Sequence, residues 1–194
     1  MKKNITNIIA FNLIMLTVCS CSDPVRSDSK ATPEEKDSTV TKTVYVQKDY
    51  SETGFELMKN ESIGEIKLDM DAKRIIELLG KPDEKTKPEL WGADGAYHQQ
   101  WKYLKRGIEL DLTGEAQTNL IVNMITISAP CELKTKRNIG IGSSYEDVQT
   151  AYKPEIDPAD TNPETIVAGT VYGGMIFTFA DKKLKSIFIG AGAE

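Results

Sequence analysis

Leu68-Asp69-Met70-Asp71-Ala72-Lys73-Arg74-Ile75-Ile76-Glu77-Leu78-Leu79-Gly80-Lys81-Pro82 is the stretch on which the reading of this chain turns. A second stretch, Ile141-Gly142-Ser143-Ser144-Tyr145-Glu146-Asp147-Val148-Gln149-Thr150-Ala151-Tyr152-Lys153-Pro154, follows its pattern 73 residues later. That displacement aligns Asp71 with Ser144, Ile75 with Val148, Leu78 with Ala151 and Leu79 with Tyr152. Each stretch predicts a short capped helix. The side-chain oxygen of Asp71 or Ser144 can accept the free N–H groups of a first turn, and Met70 can staple onto Ile75. Gly80 ends the first helix and Pro82 prevents its continuation. Ile75, Ile76 and Leu79 form one apolar face.

Alternating segments follow each helix. After the first, Tyr97, Gln99, Trp101 and Tyr103 share a face, with His98, Gln100 and Lys102 opposite. Lys105-Arg106-Gly107 predicts a turn, then Ile108, Leu110 and Leu112 alternate with Glu109, Asp111 and Thr113, and a third strand runs from Leu120 to Ser128. After the second, Thr165 to Tyr172 leads into Gly173-Gly174. Met175, Phe177 and Phe179 then alternate with Ile176, Thr178 and Ala180. Asp181-Lys182-Lys183 turns into Leu184 to Gly190. Period-two alternation places one face on a core and the other toward solvent. The matching features are Gly107 with Gly174, Leu110 with Phe177 and Ile125 with Ile187. Each unit thus reads as a helix laid on about three antiparallel strands. A unit of about 70 residues is marginal for an independent core, so the two are expected to pack together or share a sheet. The fold class expected is α+β, with two tandem helix-on-antiparallel-sheet repeats.

The first twenty residues read as an address. Lys2 and Lys3 precede a mostly apolar run from Ile5 to Val18, too short to span a bilayer and suited to a signal-peptide core. The run ends in Val18-Cys19-Ser20-Cys21, which resembles the bacterial lipobox, where cleavage before a Cys frees its sulfur for a diacylglycerol. Cys21 has Ser20 immediately before it and Val18 at the third preceding position; Cys19 would need Val18 at the small-residue position. Cys21 is therefore the expected lipid anchor, and several acyl chains make a stable one. Cleavage removes Lys2 and Lys3 and no acid, leaving 22 basic and 29 acidic residues and a net charge of −7. Cys131 then stands alone, so no internal disulfide is expected; it follows Ala129-Pro130 with no adjacent basic residue and reads as buried and inert.

The expected organisation is a signal peptide at 1–20, a disordered tether at 21–42, an N-terminal extension with the first repeat at 43–130 and the second repeat at 131–194. The tether is rich in Ser, Thr, Asp, Glu, Lys and Pro and cannot bury enough surface to order itself. Thr43 to Gln47 has strand-like composition, and Phe55 to Leu68 is expected to be extended.

Leu68-Asp69-Met70, the Ile75 to Pro82 run ending in Leu-Gly-Lys-Pro, Trp101-Lys102-Tyr103 and a Gly-led strand together resemble the BamE/OmlA (SmpA) lipoprotein unit. Two such units in tandem are similar to the β-lactamase inhibitory protein architecture. The resemblance covers roughly residues 60 to 194. Lys153 stands where the second unit would carry the helix-ending Gly, and Asp69 stands where a Gly is often found. The ending Ile187 to Glu194 looks like that of Bacteroidetes lipoproteins of unknown role. The resemblance implies an outer-membrane lipoprotein, on the periplasmic or the surface face, with a concave protein-binding surface. It implies assembly assistance or inhibition of an envelope hydrolase. It names no partner, because function lives in sites rather than folds.

Composition excludes more than it assigns. The formal charge of −5, without clustered Lys and Arg, argues against a nucleic-acid partner. A single histidine, His98, leaves no His-built metal site and reads as a surface or half-buried strand residue rather than a base. Ser143 and Ser144 follow a glycine-rich turn, but Glu146 and Asp147 would repel an anion, and capping is the simpler reading. Glu155, Asp157, Asp160, Asn162 and Glu164 lack EF-hand spacing and read as a solvated acidic loop. No catalytic group, metal or cofactor is expected. What remains is aromatic: Trp91, Tyr97, Trp101, Tyr103 and Tyr172 either anchor a partner, protein or glycan, or face the helix as core, with Trp91 in its Trp-Gly-Ala-Asp-Gly loop the expected exposed member.

Overall fold

A computed structural model describes residues 48–192. The expected signal peptide, Cys21, the expected tether and the Thr43–Gln47 segment read as strand-like lie outside the described residues. The fold is α+β: three helices and eight antiparallel strands joined in one sheet.

Helix α1, Tyr50–Asn60, opens on Asp49, whose carboxylate accepts from the Ser51 N–H at 2.9 Å. Glu52 in its first turn and Lys59 in its last both complement the helix dipole. This corrects the extended reading of Phe55 to Leu68, of which only Ile63 and Ile66 form isolated bridges. Gly54 hides the helix from a propensity reading, since an interior Gly costs about 1 kcal/mol relative to Ala. Packing requires it. A Cβ at Gly54 would overlap the Gly173 carbonyl oxygen and lie 2.8 Å from the Gly169 Cα, so the helix backbone rests directly on sheet backbone.

Helix α2, Ala72–Leu79, ends at Gly80, whose N–H bonds the Ile76 carbonyl at 2.9 Å with φ of 83°. Asp71 holds the N-cap position without making a side-chain cap bond. Ile75 is fully buried, but Ile76 is 41% exposed, so the apolar face is narrower than the sequence pattern suggests. Helix α3, Tyr145–Tyr152, carries a full capping box: Ser144 Oγ accepts from the Asp147 N–H at 3.0 Å, and Asp147 accepts from the Ser144 N–H at 3.1 Å.

The strands are β1 (Glu84–Lys85), β2 (Glu89–Leu90), β3 (Tyr97–Tyr103), β4 (Ile108–Gly114), β5 (Ile121–Ser128), β6 (Thr165–Thr170), β7 (Gly173–Ala180) and β8 (Lys183–Gly190). They run β1-β3-β4-β5-β8-β7-β6, with β2 pairing β3 beside β1. Six match the alternating segments. The two-residue strands β1 and β2 are exposed and too short to alternate. Asp181 and Lys182 take φ of 52° and 58°, the left-handed pair that a tight β7–β8 hairpin turn demands. β4 is bulged between Asp111 and Leu112, and β7 between Thr178 and Phe179.

Register decides the core. Trp101 faces Leu110, Leu110 faces Ile125, Ile125 faces Ile189 and Ile189 faces Met175. Those side chains join Leu57 of α1, Ile75 of α2, and Val148 and Tyr152 of α3 in one buried cluster. Tyr152 lies on Phe177 with ring centroids 4.7 Å apart, and Tyr145 lies on Phe179 at 5.0 Å. Cys131 is buried, and that burial pushes its thiol pKa up. At the junction of α1 and α3, the buried Glu61 accepts from the Ser62 N–H, the Lys136 N–H at 2.9 Å and the Tyr152 hydroxyl at 3.0 Å. Arg137 grips Glu155 through two bonds at 2.9 and 3.0 Å while lying 4.6 Å over the Tyr152 ring.

The contact at Gly54 yields a direct test. Gly54→Ala improves intrinsic helix propensity, yet it should destabilise the protein by about 1–3 kcal/mol, the usual cost of overpacking. Urea denaturation reads this out. An unchanged or raised midpoint would show that α1 does not bear on the sheet.

Candidate functional site

The buried side chains of all three helices enter the same core. The alternate residues of the central strands point the other way. Gln100 and Lys102 of β3, Glu109 and Asp111 of β4, Met124 and Thr126 of β5 and Phe188 of β8 line a shallow depression of about 120 Å³ on that open face. Register places Asp111 beside Met124, Thr126 beside Phe188 and Phe188 beside Ile176. Met124, Ile176 and Phe188 are half-buried, an apolar stripe flanked by polar residues. Lys102 and Glu109 pair across the strands at 3.4 Å. Gly192 turns back at one end, its N–H bonded to the Val171 carbonyl at 2.8 Å.

The loop between β2 and β3 closes a corner of the same sheet. His98 is only 4% exposed, which corrects the surface or half-buried reading. Its Nδ1 lies 3.1 Å from Asp111 Oδ1 and its Nε2 lies 2.8 Å from Asp94 Oδ2. Trp91 covers the imidazole in a parallel stack, 3.9 Å between centroids and 12° between planes. The loop is held by the Trp91 N–H to the Ala96 carbonyl at 2.9 Å and the Gly95 N–H to the Trp91 carbonyl at 3.0 Å. Asp94 also accepts from the Ala96 N–H at 2.9 Å, and that bond, then the one from His98, holds its carboxyl below the usual range. Burial on its own would depress the His98 pKa. The hydrogen bonds accepted by Asp94 and Asp111, reinforced by their charges, outweigh it and raise the value above 6.5.

Chemically, this corner leaves neither ring nitrogen of His98 free. Thr113 Oγ1 reaches His98 Nε2 only at 3.5 Å, whereas Asp94 occupies that nitrogen at 2.8 Å. A general base needs a free ring nitrogen within reach of the proton it takes, and here both face carboxylates. Among the described residues, no group of three or more His, Cys, Asp and Glu could hold a metal ion. No described helix is long and apolar enough to cross a membrane. A cavity of about 550 Å³ lies along α1 and is lined by Glu52, Glu56, Asn60, Lys136, Arg137 and Glu155, with both cations engaged by Asn60 and Glu155.

The aromatic group is divided. Trp101, 4% exposed, and Tyr103 are buried; the indole N–H donates to Gln99 Oε1 at 2.8 Å and the Tyr103 hydroxyl to the Gly80 carbonyl at 3.1 Å. Burial pushes the Tyr103 hydroxyl up to about 12. Tyr97 is half-buried against the same core. Trp91 is 38% exposed and Tyr172 65% exposed. Tyr172 sits in the β6–β7 turn, at the far end of the strand order from the Trp91 loop, so the two do not share a patch. Comparison with protein-family models, with curated proteins and with solved structures finds no match to this chain.

The two tryptophans should separate cleanly. Trp101→Ala should cost about 3–5 kcal/mol of stability, the range for a buried aromatic, whereas Trp91→Ala should cost about 1 kcal/mol, the scale of an aromatic stack at a partly exposed site. Urea denaturation of the two variants checks the order. A reversed order would place Trp91 in the core.

Proposed function

We propose that this chain is a lipid-anchored, non-catalytic protein-binding module of the cell envelope, held at the outer membrane through Cys21, that engages an envelope protein through the open sheet face. The observation that carries this reading is the stripe of Met124, Ile176 and Phe188 on the face opposite the helices, flanked by Gln100, Lys102, Glu109 and Thr126. Met and aromatic residues with a polar rim are what recognition surfaces favour. The Ile5–Val18 run and the Ser20-Cys21 junction support the anchor.

We further read the fold as two tandem copies of one unit, the first built on α2 and β3–β5, the second on α3 and β6–β8. Matching hydrogen bonds support this. Asp69 N–H bonds the Val122 carbonyl as Gly142 N–H bonds that of Leu184. Val122 N–H bonds the Met70 carbonyl as Leu184 N–H bonds that of Ser143. Asp71 bridges Ile121 as Ser144 bridges Lys183. Asp69 and Gly142 both take positive φ, 62° and 88°, so Asp69 adopts the conformation for which glycine is the usual residue. The bulges at Asp111/Leu112 and Thr178/Phe179 fall at matching positions. A tandem unit of this kind presents a continuous sheet for recognition.

Glycan binding is the second reading. It is favoured by the depression of about 200 Å³ lined by Thr86, Lys87, Glu89, Trp91 and Gln100, where a ring could stack beside hydrogen-bonding groups.

Two experiments decide. Palmitate labelling should mark the Cys19→Ala protein and leave Cys21→Ala an unprocessed precursor; the opposite pattern overturns the anchor assignment. In pull-downs from detergent-solubilised envelopes, Phe188→Glu should lose a protein captured by the wild type while its melting curve stays within a few degrees. Capture unaffected by Phe188→Glu removes the sheet-face reading. Capture of saccharide that is lost in Trp91→Ala favours the glycan reading.

A further inference from the structure

His98 has carboxylate oxygens at both ring nitrogens, 3.1 Å to Asp111 and 2.8 Å to Asp94. A neutral imidazole carries one N–H and can donate to only one of them; the other nitrogen would then turn its lone pair toward an oxygen lone pair. The imidazolium donates to both. Asp111 is fixed in β4, inside a ladder paired on both sides. Asp94 belongs to the loop between β2 and β3, and His98 Nε2 joins it to the sheet. Trp91, at the start of that loop, lies flat on the same ring. A charged imidazolium strengthens such a contact, because the face of an indole is electron-rich.

We propose that His98 is a proton-operated lock on the Trp91–Ala96 loop: as an imidazolium it clamps Asp94 and Trp91 against the sheet, and on losing its proton it releases the loop and changes how Trp91 is presented on the surface. The inference goes beyond the binding reading and needs no partner for its test.

The other charged groups facing this ring are exposed. Glu89 of β2 lies opposite His98 in register and Lys87 lines the same depression. The charges that act on the ring are those of Asp94 and Asp111. The direction follows from linkage. Because the folded-state pKa is raised, the stabilisation of the closed loop is fully present below about pH 6.5. It fades as the pH rises through the folded-state value. Because the Asp94 pKa is lowered, that carboxylate supports the clamp from about pH 4 upward and loses it only as the pH falls through its depressed value. The loop is therefore held below about pH 6.5 and freed as the pH rises through the raised folded-state value of His98.

His98 is the only histidine in the chain, so the full-length protein in detergent, labelled with ¹⁵N-histidine, gives an unambiguous ring titration. Ring shifts should report both nitrogens protonated at pH 5.5, with a midpoint above 6.5. Amide exchange at Gly95 and Trp91, corrected for the intrinsic effect of pH, should lose protection by about tenfold for each unit of that upward shift across the same titration. Asp94→Asn, a change in an exposed loop, should lower both midpoints together. A ring protonated once throughout would put the shared proton on Asp111 and overturn the lock. A midpoint at or below 6.5 would also overturn it, as would Gly95 protection that ignores the titration.

Discussion

Everything in this structure depends on the antiparallel pairing of β5 with β8. Ile125 meets Ile189 and Ile127 meets Ile187 across that junction, all four buried. Without it, the sheet would part into β1–β5 and β6–β8, each too small to bury a stable core and left with an open strand edge. The junction removes one edge from each half at a stroke. The outer edges are treated separately. β6 is covered by the 155–162 segment: the Asp157 N–H bonds the Val167 carbonyl at 2.9 Å and the Gly169 N–H bonds that of Glu155 at 2.8 Å. β3 is capped by the short strands β1 and β2. With both edges occupied, strand addition is a poor route to a partner, which is why the proposed binding is assigned to the open face.

The Glu61 network does a related job on the helical side. A buried carboxylate is costly unless its oxygens are satisfied. Glu61 receives two backbone N–H groups and the Tyr152 hydroxyl, with Arg137 Nε 3.8 Å away. These bonds join the end of α1 to α3, so the first helix is held both by bare backbone contact at Gly54 and by a satisfied buried charge. Loss of either contact would leave the other carrying a helix of 11 residues that is marginal in isolation.

Much of this frame was legible in the sequence, and the omissions have specific causes. Strands β3, β4 and β7 announce themselves through alternation, and α2 and α3 through caps and apolar spacing. α1 did not, because Gly54 serves a backbone contact with Gly169 and Gly173 that no local rule reveals. The aromatic face Tyr97, Gln99, Trp101 and Tyr103 is visible as a face, and the sequence leaves open whether it is core or interface; Trp101 and Tyr103 are buried, with Lys85 5.9 Å over the Trp101 ring. His98 was the clearest omission. Its partners lie 4 and 13 residues away, one placed by a loop and the other by the β3–β4 register. The signal that pointed to them was an Asp at the outward position of β4, in a strand whose inward positions are all aliphatic.

On the tandem reading, the places where the two units differ matter more than those they share. The β3 to β6 correspondence runs at an offset of 65, since Trp101 faces Leu110 and Ile166 faces Phe177 in matching ladders. His98 then corresponds to Pro163, and Asp111, at the bulge, to Thr178. The second unit therefore keeps the hydrogen-bonded frame without the charged corner, and uses the equivalent stretch of chain to cover the β6 edge. A buried imidazole and a buried carboxylate are costly to place in a sheet, and the shared frame does without them in its second copy. That confines their purpose to the first unit, where they hold one tryptophan-bearing loop over one end of the open face. On that reading the frame accounts for the fold, and the charged corner at His98 marks where the two units diverge.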